Sequence, residues 1–301
     1  MVPVPALHQN TKNLMKKSIS IWSFYGDWSL KDKMKLAKDA GFEGIELDVS
    51  GDGPITLDSD EDAIAAIGSL AADSGLTLSG LATGMYWEFN PASENAESRA
   101  QAKVVLEKQI RVASQLGIGA VLVVPGSVGA DFIPGCEELS YDKVWDRATE
   151  FISNALPLAK ELGVDIGIEN VWNKFLLSPL EMARFIDQFD DAHVGSYFDV
   201  GNVLATGYPE HWIRILKDRI RRVHVKDYRR AVGSVDGFVD LLSGDVNWPE
   251  VVQSLKSIGY SGWVAAEMIP PVPFYKYAPE TLIDNTSRAM DSIFGLAWPS
   301  D

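Results

Sequence analysis

Cysteine is nearly missing from this chain. Cys136 is the single one in 301 residues, so no intrachain disulfide can form and zinc sites of the multi-cysteine kind are excluded. Histidine is scarce too, with four. Basic residues are outnumbered: 27 Lys and Arg stand against 42 Asp and Glu, a formal charge of −15. An anionic surface repels nucleic-acid phosphates and anionic lipid headgroups, so neither is expected as a partner. No apolar run reaches the length of about 18 residues that a transmembrane helix needs. The first residues, MVPVPALHQNTKNLMKKSISIWSF, lack a continuous apolar core after a basic start. No secretory signal is expected there, and the chain is assigned to the cytoplasm. Residues 1–14 read as an irregular leader and 15–301 as the folded part. No Gly/Ser linker or break in composition divides that part, so one domain is expected despite the length.

What is present is an ordinary globular composition, 46% hydrophobic and 23% charged, arranged in a strict alternation. Short apolar runs predict strands at Ser18–Phe24, Gly44–Leu47, Leu76–Ala82, Ala120–Val124, Asp165–Glu169, Val194–Asp199, Ile220–Val225 and Gly262–Glu267. Segments of helical period follow each of them, for example Leu30–Ala40, Glu94–Leu116, Tyr141–Leu162 and Leu282–Phe294. Gly41, Gly75, Gly117, Gly163 and Gly259 stand where helices should stop. Eight βα units predict an α/β fold, a (β/α)8 TIM barrel. A doubly wound sheet would want a glycine-rich phosphate turn after the first strand, and WSFYGDWS is not one.

In such a barrel the chemistry lies at the C-terminal ends of the strands. The second strand ends near Glu46, the fifth in Glu169-Asn170, the sixth in Asp199-Val-Gly-Asn202, the eighth in Glu267. The seventh carries His224-Val-Lys226-Asp227. Singly, such residues are often helix caps or hydrogen-bonded core groups. Together, three carboxylates around one mouth cannot all ionise without a cation between them. Glu169, Asp199, His224 and Glu267 offer an oxygen-rich shell with one imidazole. That suits one divalent metal ion, Mn2+ first, with Mg2+, Co2+ or Zn2+ also fitting the donor set.

The segments IENVWNKF, SYFDVGNV, RRVHVKDY and VAAEMIP, with GFEGIEL and GDVNW, resemble the xylose isomerase-like barrel superfamily. Within it they are similar to the sugar-phosphate isomerase/epimerase branch, which includes the L-ribulose/L-xylulose-5-phosphate 3-epimerases and hexulose-6-phosphate isomerase-like proteins. The resemblance implies that Glu169, Asp199, His224 and Glu267 are the metal ligands and that Glu169 and Glu267 are also the acid/base pair. It implies a substrate contact at Asn202, where ketose 3-epimerases carry histidine, and another at Arg230. Phe175 departs from those enzymes, in which glutamate is usual.

The chemistry so implied is a proton transfer beside a carbonyl, with an enediolate stabilised by the metal. Two carboxylates on opposite faces of the substrate give epimerisation, and one carboxylate working on one face gives isomerisation. The expected substrate is a small-molecule ketose sugar or sugar phosphate. Trp22, Trp87, Trp172 and Phe175 are candidates for an apolar wall against sugar C–H faces. Arg229 and Arg230 are candidates for a phosphate. Lys226 and Asp227 either orient the metal histidine or pair with each other. The alternatives are a dehydratase or lyase of the same superfamily, of the inositol-catabolism type, and a non-catalytic sugar-binding barrel. A DNA-repair endonuclease of this barrel would need several histidines and a basic groove. A homo-oligomer is compatible with all of these readings.

Overall fold

The computed structural model describes residues 15–24, 28–269, 275 and 277–296. The leader expected at 1–14 lies outside the described residues. Eight parallel strands close into a barrel: β1 (Lys16–Ser20), β2 (Gly44–Asp48), β3 (Thr77–Ala82), β4 (Ala120–Val123), β5 (Asp165–Glu169), β6 (Val194–Asp199), β7 (Ile220–Val225) and β10 (Trp263–Ala266). Each pairs with its neighbour in chain order among these eight, and β1 closes the ring on β10 with Ile19 opposite Ala266. β4, AVLV, is buried throughout, as a strand covered on both faces must be.

Helices α1 (Leu30–Asp39), α2 (Glu61–Asp73), α3 (Ala96–Gln115), α4 (Tyr141–Leu162), α5 (Pro179–Asp187), α7 (Pro209–Leu216), α8 (Trp248–Ser257) and α9 (Pro279–Gly295) surround the barrel. Their starts are chemically marked. Ser29, Asp60, Asn95, Ser178 and Asn247 each accept a backbone N–H of the first turn. Gly163 ends α4 at φ 66°, in the left-handed region that glycine enters without cost.

Three departures from the expected pattern stand at the barrel mouth. The first strand stops at Ser20 and gives way to a 3-10 turn, Ile21–Ser23, whose cap is the Ser20 hydroxyl. A one-turn helix, α6 (Val200–Val203), follows β6 directly. A small antiparallel ladder, β8 (Asp227–Tyr228) with β9 (Phe238–Val239), stands on the loop after β7. All three begin at the C-terminal ends of barrel strands, where the backbone departs from the ladder to shape the mouth.

Candidate metal centre

Strand register sets the site. Asp199 pairs with His224 across β6 and β7, and Glu169 pairs with Tyr197 across β5 and β6. Glu267 follows β10 directly and continues the ladder by donating its N–H to Val225 O. Ligand atoms of Glu169, Asp199, His224 and Glu267 consequently lie within 4.8 Å of one another, all four residues buried.

Local hydrogen bonds decide which atom of each residue is spent. Asp199 uses Oδ1 to cap α6, accepting Asn202 N–H at 2.6 Å. Its Oδ2 is buried with no hydrogen-bond partner. Asn170 clamps the same residue from β5: its Nδ2 donates to Asp199 O at 2.8 Å and its Oδ1 accepts Asp199 N–H at 2.9 Å. Asn202 Nδ2 donates to Asn170 O, and Trp172 Nε1 to Asn202 O. The IENVW and DVGN segments are thus one interlocked unit. Gly201 is required in it, because a Cβ there would sit 2.2 Å from Lys226 Cγ.

His224 spends Nε2 on Glu46, 2.8 and 3.0 Å from its two carboxylate oxygens. Glu46 also accepts the Tyr197 hydroxyl. Two glycines make room for this chain. A Cβ at Gly80 would lie 2.1 Å from the Tyr197 hydroxyl oxygen, and one at Gly167 would lie 2.7 Å from the Tyr197 ring. With Nε2 facing Glu46, Nδ1 is the ring atom that faces the cluster, as a donor in the protonated ring and as a lone pair only in the neutral ring that a bound cation would require. Nδ1 lies 3.3 Å from Glu267 Oε2 and 4.0 Å from Asp199 Oδ2.

Lys226, two residues along and buried, enters the same space. Its ammonium is 3.2 Å from Asp199 Oδ2 and in contact with Glu267 Oε2. It also lies 5.2 Å from the Phe238 ring centre. The electrostatics follow from burial and this one cation. Burial, with Glu267 adding to it, pushes the Glu169 carboxyl well above the usual carboxylate range. Burial also raises Asp199 to about 6, against the pull of Lys226. Burial acts on Glu267 in the same direction, but Lys226 and His224 outweigh it and hold that carboxyl low. His224 is pulled down by burial and up by Glu46 and Glu267, and ends well above the usual imidazole value.

Three buried atoms of the cluster, Asp199 Oδ2, His224 Nδ1 and Glu267 Oε2, lack a directed hydrogen bond. Lys226 offsets the charge on the two carboxylate oxygens, and a buried polar atom left without a hydrogen bond costs about 1–3 kcal/mol. A divalent cation would satisfy all three atoms at once. A donor set of carboxylate oxygens with one imidazole fits such an ion without selecting among Mn2+, Mg2+, Co2+ and Zn2+.

The other expected site residues fall in two places. Trp172, Asn202 and Arg230 line a cleft of about 470 Å3 that adjoins the cluster at Asn170 and Asn202 without including the four acid and histidine side chains. Trp22 lies elsewhere, on the turn after β1, its indole N–H donating to Asp48 Oδ2 at 3.0 Å. Trp87 packs edge-on against Phe132. Phe175 lines the cleft from a buried aromatic group with Tyr141, Trp145 and Phe185. Arg229 is exposed and donates to Ser243 O.

Asp227 takes neither expected role. It accepts the N–H groups of Tyr228, Val246 and the Trp248 indole and so ties down the loop after β7. Glu46 supports His224 instead. Its signal was a carboxylate at the end of the second strand, but a linear sequence does not say which strand a histidine reaches across the barrel. Tyr197 carried a weaker signal, its place two residues before Asp199 on the same inward face.

Comparison with known proteins gives the same barrel fold. A family model described as xylose isomerase-like TIM barrel matches residues 34–292. An uncharacterized protein of Methanocaldococcus jannaschii is 27% identical over 186 residues, covering 60% of this chain and 61% of that protein, so the match spans less than two thirds of its length. The L-ribulose-5-phosphate 3-epimerase UlaE of Salmonella paratyphi A is 23% identical over 240 residues, covering 79% of this chain and 81% of that one. Among solved structures, a D-psicose 3-epimerase from Clostridium cellulolyticum H10, determined with D-tagatose, superposes with a TM-score of 0.76 at 19% identity. It covers 93% of this chain and 98% of its own.

Proposed function

The chain belongs to the xylose isomerase-like TIM barrel family, and from that premise we propose that it is a metal-dependent isomerase or epimerase of a ketose sugar. One observation carries the reading: carboxylates from two separated strands, Glu169 and Glu267, share a buried cluster with Asp199 and His224, their ligand atoms within 4.8 Å of one another and answered by one ammonium, that of Lys226. Names of relatives and neighbours, an L-ribulose-5-phosphate 3-epimerase and a D-psicose 3-epimerase among them, support the same class of reaction.

Glu169, Asp199, His224 and Glu267 would hold the ion. When bound, it supplies Lewis-acid stabilisation of the negative charge that develops on substrate oxygen. The remaining work falls to the chain. Glu169 and Glu267 take and return the proton at the carbon beside the carbonyl, general acid–base chemistry that is worth about 10²–10⁴-fold. If each serves one face of the substrate the outcome is epimerisation; if one serves both steps on one face it is isomerisation. Asn202 and Arg230 contact substrate hydroxyls, with Trp172 as an apolar wall and Trp22 a further contact. Mn2+ is the ion we assign, the cytoplasm the location, and a small-molecule sugar the partner. Among the described residues, no helix is long and apolar enough to cross a membrane.

The test is solvent-deuterium incorporation into a panel of pentuloses and hexuloses, free and phosphorylated, with Mn2+ added. Exchange at the carbon beside the carbonyl, with product mass otherwise unchanged, is the expected result. A product lighter by one water would replace the reading with a dehydratase. Metal binding without exchange in any sugar would replace it with a binding protein.

A further inference from the structure

The cleft beside the cluster has an unusual balance of walls and charges. Phe132, Trp172, Leu177, Val203, Tyr228 and Val235 give it a mainly apolar lining. Two of these hold large apolar surface out to solvent at the rim, Phe132 at 39% and Leu177 at 59% exposure. Trp172 is rigid, fixed by its bond to Asn202 O and by edge contact with Tyr228. A volume of about 470 Å3 lies within the range of about 300–1,000 Å3 typical of sites for drug-sized ligands. It lies next to the proton-transfer groups rather than over them, so a sugar engaged at the cluster would lead any substituent into it.

The cations lining this cleft, among the described residues, are Lys174 and Arg230, and both are committed. Lys174 is paired with Asp131 at 2.6 Å. Arg230 donates to Leu204 O at 2.7 Å and to Gly207 O at 2.9 Å, and its guanidinium lies 4.9 Å from the Tyr208 ring centre. Its backbone N–H is held by the Asp245 carboxylate. Phosphate recognition calls for an arginine fork, a lysine ammonium or converging backbone N–H groups not already paired within the chain. Here the guanidinium braces the loop between α6 and α7, with N–H groups left for a hydroxyl.

Resting on the reading of the cluster as a ketose site, we propose that this cleft receives an uncharged apolar or aromatic substituent, so that the substrate is a keto sugar carrying such a substituent, its carbonyl left free, rather than a sugar phosphate. A glycoside that carries the same substituent but no reactive carbonyl is then an unreactive probe of the cleft. Burying an aromatic ring against such walls is worth on the order of tenfold to a hundredfold in affinity.

Calorimetric titration of the Mn2+-loaded protein with methyl β-D-glucopyranoside, phenyl β-D-glucopyranoside and glucose 6-phosphate tests this without turnover. The phenyl glycoside should bind at least tenfold more tightly than the methyl one, and the phosphate should gain nothing over the methyl glycoside. Phe132→Ala with Leu177→Ala, both at exposed positions, should collapse the phenyl-to-methyl ratio with the fold intact by circular dichroism. Equal affinity for the two glycosides, no detectable binding of the phenyl glycoside, tightest binding of the phosphate, or a ratio that survives the double substitution would each overturn the proposal. Failure of the underlying reading looks different. No sugar would then exchange deuterium, although the phenyl preference persisted. Exchange that favours phosphorylated ketoses overturns the cleft assignment and leaves the reaction standing.

Discussion

The two ends of this barrel hold similar residues in opposite conditions. At the N-terminal end of the strands every named charge has a partner and reaches water. Arg219 forms a two-bond pair with Asp187, at 2.6 and 2.8 Å. Asp165 takes both Arg221 and His193, and Lys160 pairs with Asp191. At the C-terminal end the charges are buried, three carboxylates crowd one imidazole and one ammonium, and inward-facing atoms go without a hydrogen bond. A protein selected for stability alone would satisfy those atoms or replace them with apolar groups, since buried charge rarely stabilises. Paired, water-exposed charge at one end contributes modestly to the fold, and crowded buried charge stands at the end where a barrel of this kind carries its active site.

The contrast breaks first, and furthest, at the mouth. Glu267→Gln and Glu169→Gln keep size and one oxygen but cannot accept a proton at neutral pH. Each should lower solvent-deuterium exchange by about 10²–10⁴-fold with the fold intact by circular dichroism. If the two groups serve opposite faces, each variant retains exchange from a different epimer. Near-wild-type exchange in either one, with metal still bound, would shift the base to another group such as Lys226. Asp199→Ala and His224→Ala each delete one ligand from a shell with no spare, so both should lose metal by elemental analysis. Metal content equal to wild type in both would mean the ion binds elsewhere.

A subtler break lies one layer out. Glu46→Gln keeps a hydrogen-bonding group facing His224 Nε2 but removes the charge. Such supporting groups are worth about 10–100-fold in metal affinity. Tyr197→Phe removes one hydrogen bond from Glu46 and should cost less. Titration of the metal-free protein with Mn2+ would rank them, and a Glu46→Gln variant with unchanged affinity would reduce Glu46 to a packing role.

This ranking also shows what the sequence could and could not convey. The four clustered residues were legible because each stands at or beside the end of its own strand, and the barrel's topology makes strand ends converge. β5, β6 and β7 have the bounds that their apolar runs predict. Contacts that cross the barrel were not legible. Glu46 reaches His224 from β2, 178 residues away in the chain, and nothing in the local pattern of either strand names the other. Asp227 misled for the opposite reason: adjacency to Lys226 suggested a pair, but successive strand residues point to opposite sides, and its carboxylate serves the loop. The turn after β1, α6 and the β8–β9 ladder are too short for periodicity to register. Only the hydrogen bonds of the mouth define them.

Between the two ends in size of effect stands Gly201→Ala. The added Cβ would sit 2.2 Å from Lys226 Cγ and 2.7 Å from Lys226 O, and the second contact is backbone that cannot swing aside. Overpacking of this kind costs about 1–3 kcal/mol, and here it also displaces the ammonium from Asp199 and Glu267. A lower melting temperature accompanied by weaker Mn2+ binding is expected. A lower melting temperature with unchanged metal affinity would separate Lys226 from the cluster's electrostatics.

The smallest effect belongs to the N-terminal end. Hydrogen bonding to Arg219 holds the Asp187 carboxyl below its usual value, with burial opposing weakly. The folded state therefore binds its proton less readily than the unfolded state, whose value is about 3.9. The pair's contribution is present above that pH and is lost as the pH falls through the lower folded value. Asp187 is half exposed, at 53%, so water screens the pair and the contribution is under about 1 kcal/mol. Asp187→Asn should lower the melting temperature by no more than about 4 °C at pH 7. The gap between variant and wild type should narrow progressively as both are melted at lower pH. A gap of constant size across that range would mean the loss comes from packing, and the pairing of charges would then explain nothing about how this end of the barrel is held.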